Sequence, residues 1–187
     1  EFGKTLYLSP FKWLVMFAPL LMVFAFGAAL NRLSVQGATT LFYAFAAVMG
    51  VSISWIFAAY TSVSIVQTFL VTAIAFAGLS LYGYTTKRDL SGMGTFLIMG
   101  VIGLVIASIV NMFLQSGTFY LIISAIGVLI FSGLIAYDTQ RLKMTYYAIG
   151  ADQNALGVAT GFGALSLFIN FVNLFQFLLA FMGGNRN

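Results

Sequence analysis

The sequence predicts an all-α, polytopic membrane protein with six transmembrane helices in a single domain covering residues 1–187. Hydrophobic residues make up 61% of the chain and charged residues only 6%. A soluble domain carries about 25% charged residues. The mean hydropathy of +1.04 supports the same conclusion, which is that the bilayer is the solvent for most of the chain.

Six apolar runs are long enough to be spans. A helix needs about 20 apolar residues to cross the hydrocarbon core of a bilayer. The runs lie at residues 11–30, 41–59, 63–82, 95–114, 120–142 and 158–181. The two longest connections, residues 83–94 and 143–157, contain the Gly, Ser, Asp and Asn that are typical of turns. One compact helical bundle therefore fits the chain.

The distribution of Lys and Arg predicts the orientation of the spans. Five cations follow the first, third and fifth runs, and three lie on the opposite side: Arg32, Lys87, Arg88, Arg141 and Lys143 against Lys4, Lys12 and Arg186. Because cytoplasmic loops are enriched in Lys and Arg, we place the side with five in the cytoplasm. The first run then passes from outside to inside, and we expect a further span to precede it in the native protein.

The chain lacks the residues that several functional classes require. There is no Cys and no His, which removes thiolate catalysis, disulfides and the usual neutral-pH proton shuttle. The motifs HExxH, GxSxG and the Walker lysine are also absent from the sequence. The net charge of +4 is too small and too dispersed to indicate nucleic acid. We therefore expect neither an enzyme nor a protein that needs a cofactor.

Polar and small residues recur at helical spacing inside the spans. The sets are Ser166, Asn170 and Asn173; Ser64, Thr68 and Thr72; Gly103, Ala107 and Asn111; and Gly157 with Gly161. Such sets usually mediate packing between helices, since small residues permit close approach and polar ones hydrogen-bond across the contact. For the two amides of the last span, a polar interior is an equally good interpretation.

Asp138 is the one acidic residue inside a predicted span. A carboxylate at membrane depth costs roughly 2.5–3.5 kcal/mol on insertion scales, and such residues usually mark a functional site. Two orientations are open. Because Asp138 lies about one turn from the end of its run, it could reach the cytoplasmic interface. Alternatively it points into the bundle on the face of Phe131, Leu134 and Ile135, with Arg141 as a local partner.

Two motifs resemble those of a known family. YDTQRLK at residues 137–143 closes one span, and LSLFINFVNLF at residues 165–175 lies in the next. Together with TTKRDLSGMGTFL at residues 85–97, they resemble the Bax inhibitor family (transmembrane Bax inhibitor motif), which includes bacterial YccA-like and YetJ-like members. The resemblance implies seven helices with the last at the centre, so we expect the first of the seven to be the one that is missing here.

The resemblance also implies a function, a pH-sensitive calcium leak that is linked to cell-death suppression in eukaryotic relatives. In that family two aspartates on the last two helices share a proton, and an arginine pairs with one of them in the closed state. By this correspondence Asp138 is the first aspartate and Arg32 the arginine, whereas Asn170 occupies the position of the second aspartate. An amide cannot repel a carboxylate as a second carboxylate does, so we expect pH gating that is shifted or blunted.

The sequence thus predicts a passive calcium or cation leak in a bacterial inner membrane, gated by an Arg32–Asp138 contact near the cytoplasmic face. Asn170 belongs to the sensor, Asn173 lines the ion path, and Asp138 makes a weak, transient calcium site. Expected partners are the lipid bilayer, calcium ions and other membrane proteins. One alternative is a non-conducting regulator that binds membrane proteases or cell-death factors. Another is a proton-coupled transporter.

Overall fold

The structure is a computed structural model that describes residues 34–184, and every regular element within that range is a helix. The six helices are α1 (Val35–Ile53), α2 (Ile56–Ala59), α3 (Ser62–Thr85), α4 (Ser91–Leu114), α5 (Gly117–Ile149) and α6 (Gln153–Met182). The prediction of an all-α protein is therefore confirmed for the described part of the chain.

Within residues 34–184, five helical segments are long and apolar enough to cross a membrane: Val35–Ala59, Ser62–Thr85, Ser91–Leu114, Gly117–Ile149 and Gln153–Met182. They correspond to the second to sixth predicted runs and extend most of them at both ends. The predicted count of six is not confirmed, because the run at residues 11–30 lies outside the described residues.

The first described span is interrupted, which hydropathy did not predict. Helix α1 ends at Ile53, and α2 begins at Ile56. At the break, both the amide and the hydroxyl of Ser54 donate to the carbonyl of Val51, at 3.2 and 2.7 Å. A serine hydroxyl that donates to a backbone carbonyl three residues back competes with the regular helical hydrogen bonds.

Four helices begin at a side chain that accepts a hydrogen bond from the first turn. Ser34, Thr61, Ser116 and Asp152 cap α1, α3, α5 and α6 respectively. Each cap satisfies an amide of the first turn that has no partner within the helix. These polar residues flank the apolar runs, which explains why the helices start before the apolar residues do.

Helices α5 and α6 form the centre of the described bundle. Helix α5 packs against α3, α4 and α6, and α6 packs against α5, α3 and α1. The main core cluster draws most of its side chains from α5, including Ile130, Phe131, Leu134 and Ile135. Large apolar side chains elsewhere face outward, such as Phe113 of α4 at 85% exposure. The predicted central position of the last helix is thus shared with α5.

Glycines mark the closest helix contacts. A Cβ added to Gly157 would lie 2.6 Å from Val35, and one added to Gly161 would lie 2.9 Å from the Cβ of Ala38. The close packing predicted at these two positions is therefore present, between α6 and α1. Gly103 is exposed, and no described residue lies within 4 Å of a Cβ built on it, so the packing predicted there is not found in the described part of the chain.

The tightest contact of α3 is at Gly83, where an added Cβ would overlap the backbone carbonyl of Ala136 in α5. We expect Gly83→Ala to lower the free energy of unfolding by about 1–3 kcal/mol, as overpacking does when backbone must move. Gly78→Ala on the same helix is the control, since no residue that the structure describes lies within 4 Å of its Cβ position. Thermal unfolding in detergent, followed by circular dichroism, measures both; equal midpoints for the two variants would contradict the contact.

Candidate functional site

Asp138 points into the helix bundle. It is on α5 and is only 7% exposed, although it is an ionisable residue. Phe131, Leu134 and Ile135, which share its helix face, are buried with it. Of the two orientations left open by the sequence, the structure has the inward one. Arg141, the suggested local partner, is exposed.

Two side chains of α6 hold the carboxylate. The hydroxyl of Ser166 donates to Oδ2 of Asp138, and Nδ2 of Asn170 donates to the same oxygen at 2.8 Å. Asn170 is itself only 5% exposed. Hydrogen bonds to an ionised acceptor are stronger than neutral ones, so these two donors offset part of the cost of burying a carboxylate.

The charge balance of this site is simple. Helix α6 contains no Asp, Glu, Lys or Arg, so its contribution to the contact is neutral. Within residues 34–184, no group of three or more His, Cys, Asp or Glu side chains is placed to hold a metal ion. Arg32, the predicted cationic partner, lies outside the described residues. The described site therefore consists of one carboxylate and two neutral donors.

Asn173 lies apart from this carboxylate. Its Nδ2 donates to the carbonyl of Ile169, one turn back on its own helix, at 2.8 Å. Its side chain also lines a cavity bounded by Tyr60 and Tyr120, near the N-terminal end of α5, whereas Asp138 lies in the C-terminal half of that helix. The structure thus brings Asp138 and Asn170 together and places Asn173 on the same face of α6, about one turn further along.

A second polar contact attaches the α3–α4 loop to α5. Gln140 is 8% exposed; its Nε2 donates to the carbonyl of Arg88, and its Oε1 accepts from the amide of Leu90, both at 2.8 Å. Nζ of Lys143 donates to the carbonyl of Tyr84 at 2.8 Å. The loop is therefore fastened to α5 within two turns of Asp138, so a movement of α5 there would involve the loop.

The loop also carries an ionised group. Hydrogen bonds from the side chain and the backbone amide of Ser91 hold the pKa of the exposed Asp89 carboxyl below its ordinary value. Asp89 therefore stays charged at neutral and mildly acidic pH, and it does not contribute a proton in the range where a pH response would be measured.

The sequence interpretation missed two contact residues. Ser166 was noted only as part of a polar face, although its position four residues before Asn170 was the available signal. Gln140 gave no signal beyond its place in the YDTQRLK motif, because its partners are backbone atoms of a loop about fifty residues away.

The fold and site define a multi-pass helical membrane protein whose central helix pair buries one carboxylate. The chain belongs to the family described as "Inhibitor of apoptosis-promoting Bax1", which matches residues 2–187. The predicted resemblance to the Bax inhibitor family is confirmed.

Bacterial relatives are similar over nearly the whole chain. An uncharacterised protein of Caulobacter vibrioides is 54% identical over 184 residues, covering 98% of this chain and 74% of the relative. The inner membrane protein YbhL of Escherichia coli K12 is 44% identical over 173 residues, covering 92% of this chain and 74% of YbhL. Together with the five spans, this similarity supports the predicted multi-pass protein of a bacterial inner membrane.

Proposed function

We propose that this protein is a passive leak for calcium or a related cation, and that Asp138 gates the leak in response to pH. The observation that carries the proposal is the burial of the Asp138 carboxylate between α5 and α6, where Ser166 and Asn170 donate to it. Ionisable residues inside spans are expensive, and they usually mark ion or proton pathways.

One carboxylate suits a leak better than a storage site. Calcium prefers six to eight oxygen ligands, so Asp138 with neighbouring amide oxygens and water makes only a weak, transient contact. Conduction needs binding weak enough for the ion to leave. The membrane potential supplies the driving force, about 4–5 kcal/mol for a divalent ion per 100 mV. The proposal therefore requires no cofactor and no catalytic step.

The gate has two parts in this proposal. Arg32 pairs with ionised Asp138 in the closed state, near the cytoplasmic face, and the neutral donors of α6 hold the carboxylate in place. Protonation of Asp138 removes the charge on which both the pairing and the strong hydrogen bonds depend. Because one carboxylate takes up one proton, the flux is expected to follow a single-site titration.

Calcium entry into sealed liposomes tests the proposal. Purified protein is reconstituted around a trapped calcium indicator, and the initial rate is recorded over a series of pH values with protein-free liposomes as the control. We expect a protein-dependent rate that changes with pH. The absence of flux at every pH would refute the leak and favour the alternative, a membrane regulator that acts by binding other membrane proteins.

A further inference from the structure

A cavity of about 110 Å³ lies between the helices at the end of the bundle away from Asp138. Its lining includes Tyr120, which is eighteen residues before Asp138 on α5. At 1.5 Å per residue this separates the two by roughly 27 Å along the helix axis. Since the cations of the α3–α4 loop mark the Asp138 end as cytoplasmic, the cavity lies towards the outer face.

Most of the described residues that line the cavity are apolar or aromatic, and none of these described residues carries a formal charge. Its polar lining consists of the amides of Asn173 and Gln176 and the hydroxyls of Tyr60 and Tyr120. Burial, and then the neighbouring Tyr120, raises the pKa of Tyr60 to about 12, so the Tyr60 hydroxyl stays neutral at physiological pH. The volume has room for several water molecules, and the lining offers each of them polar partners.

Aromatic residues complete the described lining. Trp55 and Tyr60 lie with ring centroids 6.3 Å apart, and Phe177 also borders the space. The faces of aromatic rings attract cations, and amide and phenol oxygens are the hard ligands that calcium accepts. Neutral oxygens beside aromatic rings, as found among the described lining residues, suit a small, partly hydrated cation better than an anion.

One face of α6 joins the cavity to the Asp138 site. Ser166, Asn170, Asn173 and Gln176 follow one another at intervals of four, three and three residues, which is the spacing of a single helix face. The first two contact Asp138, and the last two line the cavity. Phe177, which borders the cavity, stacks on Phe131 of the main core cluster at 5.7 Å between ring centroids.

We infer that this cavity is the outer vestibule of the protein, where a small hydrated cation is held by the oxygens of Asn173, Gln176 and the two tyrosines before it passes to Asp138. The inference rests on the proposed leak and names its outer binding site. Phe177 forms the inner wall of the vestibule, so passage requires this ring to move from Phe131.

Cysteine labelling tests the vestibule without any measurement of flux. The native chain has no Cys, so Gln176→Cys introduces a single thiol. In proteoliposomes we expect a cationic, membrane-impermeant thiol reagent added at the outer face to modify this thiol about fivefold faster than an anionic reagent of equal size. Leu174→Cys is the matched control, since Leu174 is 1% exposed in the core and is expected not to react.

Labelling of Gln176→Cys no faster than that of Leu174→Cys would show that the cavity is closed to water. Equal rates with the two reagents would overturn the preference for cations.

A flux measurement links the vestibule to conduction. Asn173→Leu and Gln176→Leu keep the side-chain size but remove a polar group, and each is expected to reduce calcium flux about fivefold. Gln67→Leu makes the same change at an exposed position on α3 outside the cavity, and we expect it to conduct like the wild type. If both cavity variants conduct calcium as fast as the wild type does, this inference fails but the proposed leak stands. If the wild type itself conducts no calcium, the proposed leak fails.

Discussion

Asp138→Asn is expected to abolish the pH dependence of calcium flux. The amide has nearly the shape of the carboxylate, and its oxygen can still accept from Ser166 and Asn170, so the α5–α6 contact is retained. The variant cannot ionise, however, and it cannot form a salt bridge with Arg32. In the proposed mechanism the gate is then fixed in one state, and the flux is expected to vary less than about twofold over a pH range in which the wild type varies about tenfold.

Asp152→Asn is the matched control for this prediction. Asp152 caps α6 by accepting from the amides of Asn154 and Ala155, at 3.1 and 3.0 Å, and asparagine is an equally good cap. The substitution removes the same charge at the start of α6 but leaves the buried carboxylate in place. We expect it to retain the wild-type pH profile. If calcium flux through Asp138→Asn depends on pH as the wild-type flux does, Asp138 is not the sensor.

Asn170→Asp is expected to move the midpoint of the flux titration to higher pH by about one unit or more, a difference of ~1.4 kcal/mol per unit. Nδ2 of Asn170 lies 2.8 Å from Oδ2 of Asp138, so the new carboxylate would be in direct contact with the existing one. Two carboxylates at this separation cannot both ionise cheaply, and one of them holds its proton to higher pH. The two then titrate as a coupled pair.

Asn173→Asp separates this effect from the general cost of another charge in α6. It makes the same substitution one turn away, at a side chain that bonds to the carbonyl of Ile169 and not to Asp138. We expect a clearly smaller shift in the flux midpoint than Asn170→Asp causes. Equal shifts from the two variants would mean that the contact with Asp138 does not set the midpoint.

The spans were largely predictable from sequence because bilayer thickness sets a minimum length for an apolar helix. The exact ends were not, since Ser116 and Asp152 extend α5 and α6 through hydrogen bonds that hydropathy does not register. The break at Ser54 was missed for the same reason, because it depends on a side-chain contact with the carbonyl of Val51.

Whether the predicted close packing is present at a glycine depends on which neighbour that glycine meets in the folded bundle. Spacing alone put Gly103 and Gly161 in the same class. Gly161 meets Ala38 of α1, whereas Gly103 meets no neighbour within 4 Å among residues 34–184. A stripe of small residues shows that helices could approach closely, but the partner is determined by the arrangement of the whole bundle.

The candidate site was partly predictable. A lone carboxylate in an apolar run pointed to Asp138, and helical spacing put Ser166, Asn170 and Asn173 on one face of the next span. Spacing could not show which of these three residues meets the carboxylate, because that depends on how α5 and α6 are aligned. Their alignment brings Ser166 and Asn170 to Asp138.

The most direct test of the central claim is to observe the protonation of Asp138 itself. The chain has only four Asp and Glu side chains, so an infrared difference spectrum between acidic and neutral pH can resolve the band of one protonated carboxyl group. We predict such a band in the wild type, its absence in Asp138→Asn, and a midpoint that coincides with that of calcium flux. Flux that changes with pH while the Asp138 band stays constant would contradict the account.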